Sequence, residues 1–204
     1  MKQVFIVDYG LGNIQSVRNA MVILGCHATV CNKAEELALA GYIILPGVGA
    51  FGDGINNLKA ASFDKAIVAA IGRGAKLLGI CLGMQLLFDK SYEFGEYQGL
   101  HLLSGEVKRI DAESFDLRIP HIGWNDTALK KEDALFAGMP NPSCFYYVNS
   151  YACVPDNPAH ILGEYEYGRK YVGIVRDKNI VGVQFHPEKS QKYGMQLLKN
   201  FLAL

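Results

Sequence analysis

Apolar positions along the chain follow two rhythms. Residues 4–8, "VFIVD", form an unbroken apolar run closed by a carboxylate, the signature of a strand buried on both faces. Next, Ile14, Val17, Met21 and Leu24 recur every three or four residues, which predicts a helix with Asn13 as its cap and Gly25 as its left-handed stop. Further strands are expected at 28–31, 42–45 and 75–80, and a helix at 63–74 that ends in glycines. The segment 84–90, "MQLLFDK", also reads as helical.

Past residue 98 the rhythm changes. Segments 99–110, 143–154 and 171–186 are rich in β-branched and aromatic residues and bounded by turns, which predicts antiparallel additions and hairpins. Residues 189–204 close the chain as an amphipathic helix. Strand–helix alternation followed by β-rich sequence predicts an α/β fold, a mixed and mostly parallel sheet flanked by helices. With no linker, repeat or low-complexity tract, a single domain over 1–204 is expected.

Composition narrows the function classes. Half of the residues are apolar, enough for one sizeable core. Twenty acidic residues balance twenty basic ones, with no basic stripe, so no nucleic-acid partner is expected. The first apolar run reaches Asp8 too soon for a signal peptide or membrane span, which predicts a cytoplasmic protein away from membranes. Cys26, Cys31, Cys81, Cys144 and Cys153 make an odd count without CxxC or zinc spacing, so free thiols in a reduced compartment and no metal are expected.

Candidate chemistry centres on "GICLGMQ", residues 79–85. Gly79, Cys81 and Gly83 follow the nucleophile-elbow pattern GxSxG with sulfur in place of oxygen, after a predicted strand and before a predicted helix. The flanking glycines make room for a strained corner. A helix start would also favour thiolate through its dipole and free N–H groups.

A nucleophilic thiol needs a proton-transferring partner steadied by a carboxylate. His186 is the candidate, in "IVGVQFHPEKS" at a strand's carboxyl end, with Glu188 two residues on. His27, His101, His121 and His160 carry weaker claims and are expected in packing or surface roles, His101 and His121 among turn residues without an adjacent carboxylate. The glycine-rich stretch 45–54, "LPGVGAFGDG", could aim backbone N–H groups at an oxyanion. Nucleotide binding is disfavoured: no GKS or GKT follows it, and residues 9–14, "YGLGNI", hold only two glycines of GxGxxG.

These motifs resemble class I, triad-type glutamine amidotransferases. "GICLGMQ" is similar to their nucleophile segment and "HPE" to their base and its orienter. "DYGLGN", "LPGVGAFGDG", "PHIGWN" (120–125) and "GVQFHPEKS" together resemble the glutaminase subunits of imidazole glycerol phosphate synthases across nearly the whole chain. The resemblance implies a flavodoxin-like fold and hydrolysis of L-glutamine to glutamate and ammonia, without cofactor or metal. Ammonia would be channelled to a barrel-shaped cyclase subunit, in a heterodimer, for synthesis of imidazole glycerol phosphate and aminoimidazole carboxamide ribotide in histidine biosynthesis.

Carried over by position, the resemblance makes Cys81 the nucleophile, His186 the proton carrier and Glu188 its orienter. It places Gly47, Val48, Gly49, Gln85, Ser150 and Tyr151 at the substrate, with an oxyanion donor from Gly47–Gly49, and Asn13, Trp124, Asn125 and Lys189 at the cyclase face. The family usually has histidine at Asn149, and glycine and proline at His101 and Ser104. The alternative is a paralogous glutaminase subunit that supplies ammonia to a sugar-modifying amidotransferase.

Overall fold

The computed structural model describes residues 1–204. Its first half supplies β1 (Gln3–Val7), α1 (Ile14–Ile23), β2 (His27–Cys31), β3 (Tyr42–Gly47), α2 (Phe51–Ala60), α3 (Phe63–Gly72), β4 (Lys76–Cys81) and α4 (Leu82–Gln85). The strands β5 (Phe88–Ser91), β6 (Tyr97–Gln98), β7 (Leu103–Arg109), β8 (His121–Leu129), β9 (Ser143–Asn149) and β10 (Tyr151–Pro155) follow. The chain closes with β11 (Ile161–Tyr167), β12 (Arg169–Asp177), β13 (Ile180–Val183) and α5 (Gln191–Ala203).

Nine strands form the main sheet in the order β2-β1-β3-β4-β13-β12-β11-β8-β9. β2, β1, β3, β4 and β13 run parallel; every pairing from β13 through β9 is antiparallel. Alternate residues of β1 serve different cores. Val4 and Ile6 pack with α1 and α5, whereas Phe5 and Val7 pack with α2 and α3. Burial on both faces is why these strands read as unbroken apolar runs. The α/β class with a mixed sheet flanked by helices is the expected one, but its four parallel pairings are matched by four antiparallel ones, so the sheet is evenly mixed rather than mostly parallel.

Five local readings are corrected. The helix expected at 84–90 stops after one turn, and 88–91 is strand. The Leu86 carbonyl accepts from Leu100 N–H at 2.9 Å, and that of Leu87 from Leu102 and Leu103 N–H at 2.9 and 3.0 Å, so tertiary partners take the carbonyls that a continuing helix would use. The glycine-rich stretch 45–54 is a loop only from Val48 to Ala50, because β3 runs to Gly47 and α2 begins at Phe51. Gly52 lies where a Cβ would come within 2.6 Å of the Tyr97 ring, so glycine inside this helix serves close packing rather than a turn.

The segment 143–154 is two strands in two sheets, because β9 pairs with β8 while β10 pairs with β7 in a second sheet of order β10-β7-β5-β6. Ser150 is the crossing point. His121 lies in β8, buried, rather than in a turn. Asn13 occupies the cap position of α1, yet its side chain makes no capping hydrogen bond.

Candidate active site

Adjacent parallel strands release their loops at one edge of the sheet. β4 ends at Cys81. On one side β3 ends at Gly47, in register with Cys81; on the other β13 leads through Gln184 and Phe185 to His186. Nucleophile, glycine loop and imidazole are thus neighbours through strand order, although far apart in sequence.

Cys81 has φ 55° and ψ −113°, in the region that side chains rarely adopt. The corner around it is packed backbone against backbone. A Cβ on Gly79 would lie 2.6 Å from the Gly83 carbonyl oxygen, and one on Gly83 would collide with the Leu45 carbonyl. A Cβ on Gly47 would likewise lie 2.9 Å from the Gly83 nitrogen. The expected role of the elbow glycines therefore holds in physical detail. The expected dipole does not, because α4 is one turn of four residues and few peptide dipoles add there. Individual groups set the sulfur's surroundings instead: the thiol donates to the Val148 carbonyl at 3.7 Å and accepts from Gln184 Nε2 at 3.8 Å.

His186 Nδ1 lies 2.9 Å from Glu188 Oε1, with both side chains almost wholly out of solvent. Their turn is pinned to β9: His186 N–H donates to the Tyr146 carbonyl at 2.9 Å, while Ser190 Oγ donates to the His186 carbonyl at 2.6 Å and accepts from Tyr146 N–H at 3.0 Å. Burial pulls the imidazole pKa down, but hydrogen bonding and charge from Cys81 and Glu188 outweigh it, pushing His186 up to about 10. Sulfur and carboxylate thus both favour a proton on the ring.

Cys81 and His186 open into a cavity of about 240 Å³. Of the six substrate positions expected from sequence, Val48, Gly49, Gln85, Ser150 and Tyr151 line it. Gly47 does not; it lies beneath, against the elbow. Asn149 fixes the far wall, its Nδ2 donating to the Tyr151 carbonyl at 3.0 Å and to Tyr165 Oη at 2.9 Å. Gln85 Nε2 reaches the same Tyr151 carbonyl at 3.2 Å.

The four partner-face positions separate. Lys189 lines the cavity mouth and sits over the Tyr146 ring, 6.0 Å from its centroid, and exposed Trp124 meets the same ring edge-on at 5.8 Å. Asn13 begins α1, which packs beside the 187–189 turn. Asn125 instead turns its amide into the sheet, donating to the Glu166 carbonyl at 2.7 Å.

Four lining residues went unpredicted: Leu82, Glu93, Pro120 and Val148. Glu93 lies in sequence without a motif, and burial pushes its carboxyl up against the opposing hydrogen bond from Phe51 N–H. Gln184 was also missed. It is wholly buried, and a lone amide within the apolar run 180–185 was the available signal. Of the weaker histidines, His101 does have a carboxylate, with Nδ1 2.9 Å from Asp89 Oδ1, and His160 Nε2 lies 3.9 Å from Asp177 Oδ1.

The sequence model of the family "Glutamine amidotransferase class-I" matches residues 5–204. The chain belongs to the class I glutamine amidotransferase family, and it is an enzyme with the glutaminase activity of that class. More particularly, it is 45% identical over 201 residues to the imidazole glycerol phosphate synthase subunit HisH of Moorella thermoacetica, covering 98% of this chain and 94% of that protein. The subunit of the same name from Chlorobaculum tepidum is 44% identical over 199 residues, covering 97% and 98%. In fold, the chain is similar to PurLQS from Thermotoga maritima, with TM-score 0.78 at 19% identity, covering 99% of this chain and 98% of that one.

Proposed function

We propose that this chain is the glutaminase subunit of an imidazole glycerol phosphate synthase, releasing ammonia from L-glutamine and passing it to a cyclase subunit in histidine biosynthesis, in the cytoplasm. One observation carries the chemistry: a sulfur on a strained strand tip shares a cavity with an imidazole whose far nitrogen is held by Glu188 at 2.9 Å. The pathway rests on the names of relatives that match almost end to end.

In this reading Cys81 passes its thiol proton to His186, and the resulting thiolate attacks the side-chain carboxamide carbon of glutamine. Charge gathers on the carbonyl oxygen, where backbone N–H groups of the Gly47–Gly49 loop would receive it. His186 gives its proton to the departing nitrogen, the C–N bond breaks, and ammonia leaves behind a glutamyl thioester. The neutral imidazole then takes a proton from water, whose oxygen attacks the thioester and frees glutamate. Glu188 keeps the ring oriented through both halves.

Trp124, Tyr146 and Lys189 extend from the cavity mouth across the sheet and form the proposed cyclase face. Glutamate release by the chain assembled with its cyclase tests the reading. Cys81→Ala should lower the rate at least about 10³-fold; an unchanged rate would refute it.

A further inference from the structure

The sulfur's seat contains a second amide that the triad leaves without a role. Gln184 has no exposed surface, and its Nε2 lies 3.8 Å from Cys81 Sγ. Its orientation follows from a chain of partners. The Tyr151 carbonyl can only accept, so Gln85 must turn Nε2 toward it, at 3.2 Å. The same Nε2 reaches Gln184 Oε1 at 3.1 Å, which leaves the Gln184 NH₂ to face sulfur.

Cys81 therefore has an acceptor for its thiol proton, the Val148 carbonyl at 3.7 Å, and a donor suited to the ionised form, the Gln184 amide. The other titratable groups near the sulfur are Tyr9, Cys153 and Tyr165, which burial pushes upward and keeps neutral, and the His186 ring backed by Glu188. Glu93 and Lys189 lie farther along the cavity wall. Gln184 is the side-chain amide that donates to the sulfur from the face formed by β13.

Resting on the glutaminase reading above, we infer that Gln184 is a positioning residue for that reaction, holding the Cys81 sulfur in its attacking orientation and donating a hydrogen bond to it when ionised. Gln85 extends the arrangement to the substrate. It lines the cavity and also fixes Gln184, so the group that meets glutamine orients the group that steadies the nucleophile. A donor to charged sulfur favours the ionised state and disappears with the amide. The consequence should fall on kcat rather than on KM.

The test uses Gln184→Met, close in size but without a donor, in the full chain assembled with its cyclase. The rate of Cys81 alkylation by iodoacetamide, followed on the Cys81 peptide by mass spectrometry, is measured from about pH 5 to about pH 10. The midpoint should rise by about one unit, and kcat for glutamate release should fall about 10- to 100-fold with KM within about twofold. Gln184→Asn keeps an amide that is too short to reach, and should behave like Gln184→Met. It carries the same measurement if the methionine variant does not fold. An alkylation profile and kcat equal to wild type in either folded variant would overturn the inference. Those results beside an inactive Cys81→Ala would leave the glutaminase reading standing, whereas an active Cys81→Ala would remove both.

Discussion

The central parallel strands of the main sheet and its antiparallel far edge expose their side chains in opposite ways. β4 is buried from Leu77 to Cys81 and β13 throughout, whereas β9 alternates buried and half-buried residues and β8 turns Ile122 and Trp124 to solvent. A strand covered on both faces can present chemistry only where it ends, and Cys81, Gly47 and His186 all lie at or just beyond such ends. A strand with one open face can offer side chains along its length, and the Trp124–Tyr146 pair lies on one. Rigid backbone packing holds the nucleophile; hydrogen-bonded strand ends and surface aromatics form the wall and the exposed face.

Substitutions should separate the two regions, beginning with the elbow. Gly83→Ala drives a Cβ into the Leu45 carbonyl, a backbone atom that cannot swing aside. It should cost more than about 3 kcal/mol, seen as a large fall in Tm. Wild-type Tm would mean that β3 and the elbow are less tightly joined than the contacts require.

Glu188→Gln keeps the shape but removes the charge beside His186, and should lower kcat by about 10²- to 10⁴-fold. Its stability effect has a defined direction with pH. The folded imidazole binds its proton more tightly than an unfolded one, at about 10 against an ordinary value of about 6.5. The stabilisation is full below about pH 6.5 and is lost as pH rises towards 10. Glu188→Gln leaves the Cys81 share of that shift in place, so denaturant titrations should show the wild-type advantage shrinking in the upper part of the window; an advantage that grew with pH would contradict the His186 assignment.

On the antiparallel side the effects should be milder. Asn149→Ala removes the donor shared by the Tyr151 carbonyl and Tyr165, a loss of about 1–3 kcal/mol. Because Ser150 and Tyr151 form the cavity wall, KM for glutamine should rise more than kcat falls. Trp124→Ala, on the exposed face, should shift stability by no more than about 0.5 kcal/mol. Cyclase affinity, measured by calorimetry, should nevertheless weaken at least about tenfold; unchanged affinity would move the proposed interface elsewhere.

Much of the central site could be read from residue order alone. A thiol between two glycines after an apolar run identifies an elbow because only that spacing leaves room for the corner, and a histidine followed by Pro187 and Glu188 brings its own carboxylate within two residues. Segment 84–90 misled because its own residues say nothing about Leu100, Leu102 and Leu103, whose N–H groups claim the carbonyls a continuing helix would use. Segment 143–154 misled for the same reason. A continuous β-rich run does not reveal that Ser150 passes the chain from one sheet to another.

Local spacing and side-chain chemistry alone determined the α/β class, the elbow and the pairing of His186 with Glu188, because each depends on residues only a few positions apart. Only the tertiary structure decided that Gly47, Cys81 and His186 share an edge, that Asn149 and Gln85 hold one carbonyl, and that Gln184 faces sulfur. Those contacts depend on strand order and sheet membership, which join residues such as Cys81 and Gln184, 103 positions apart, and leave no periodic trace in the chain.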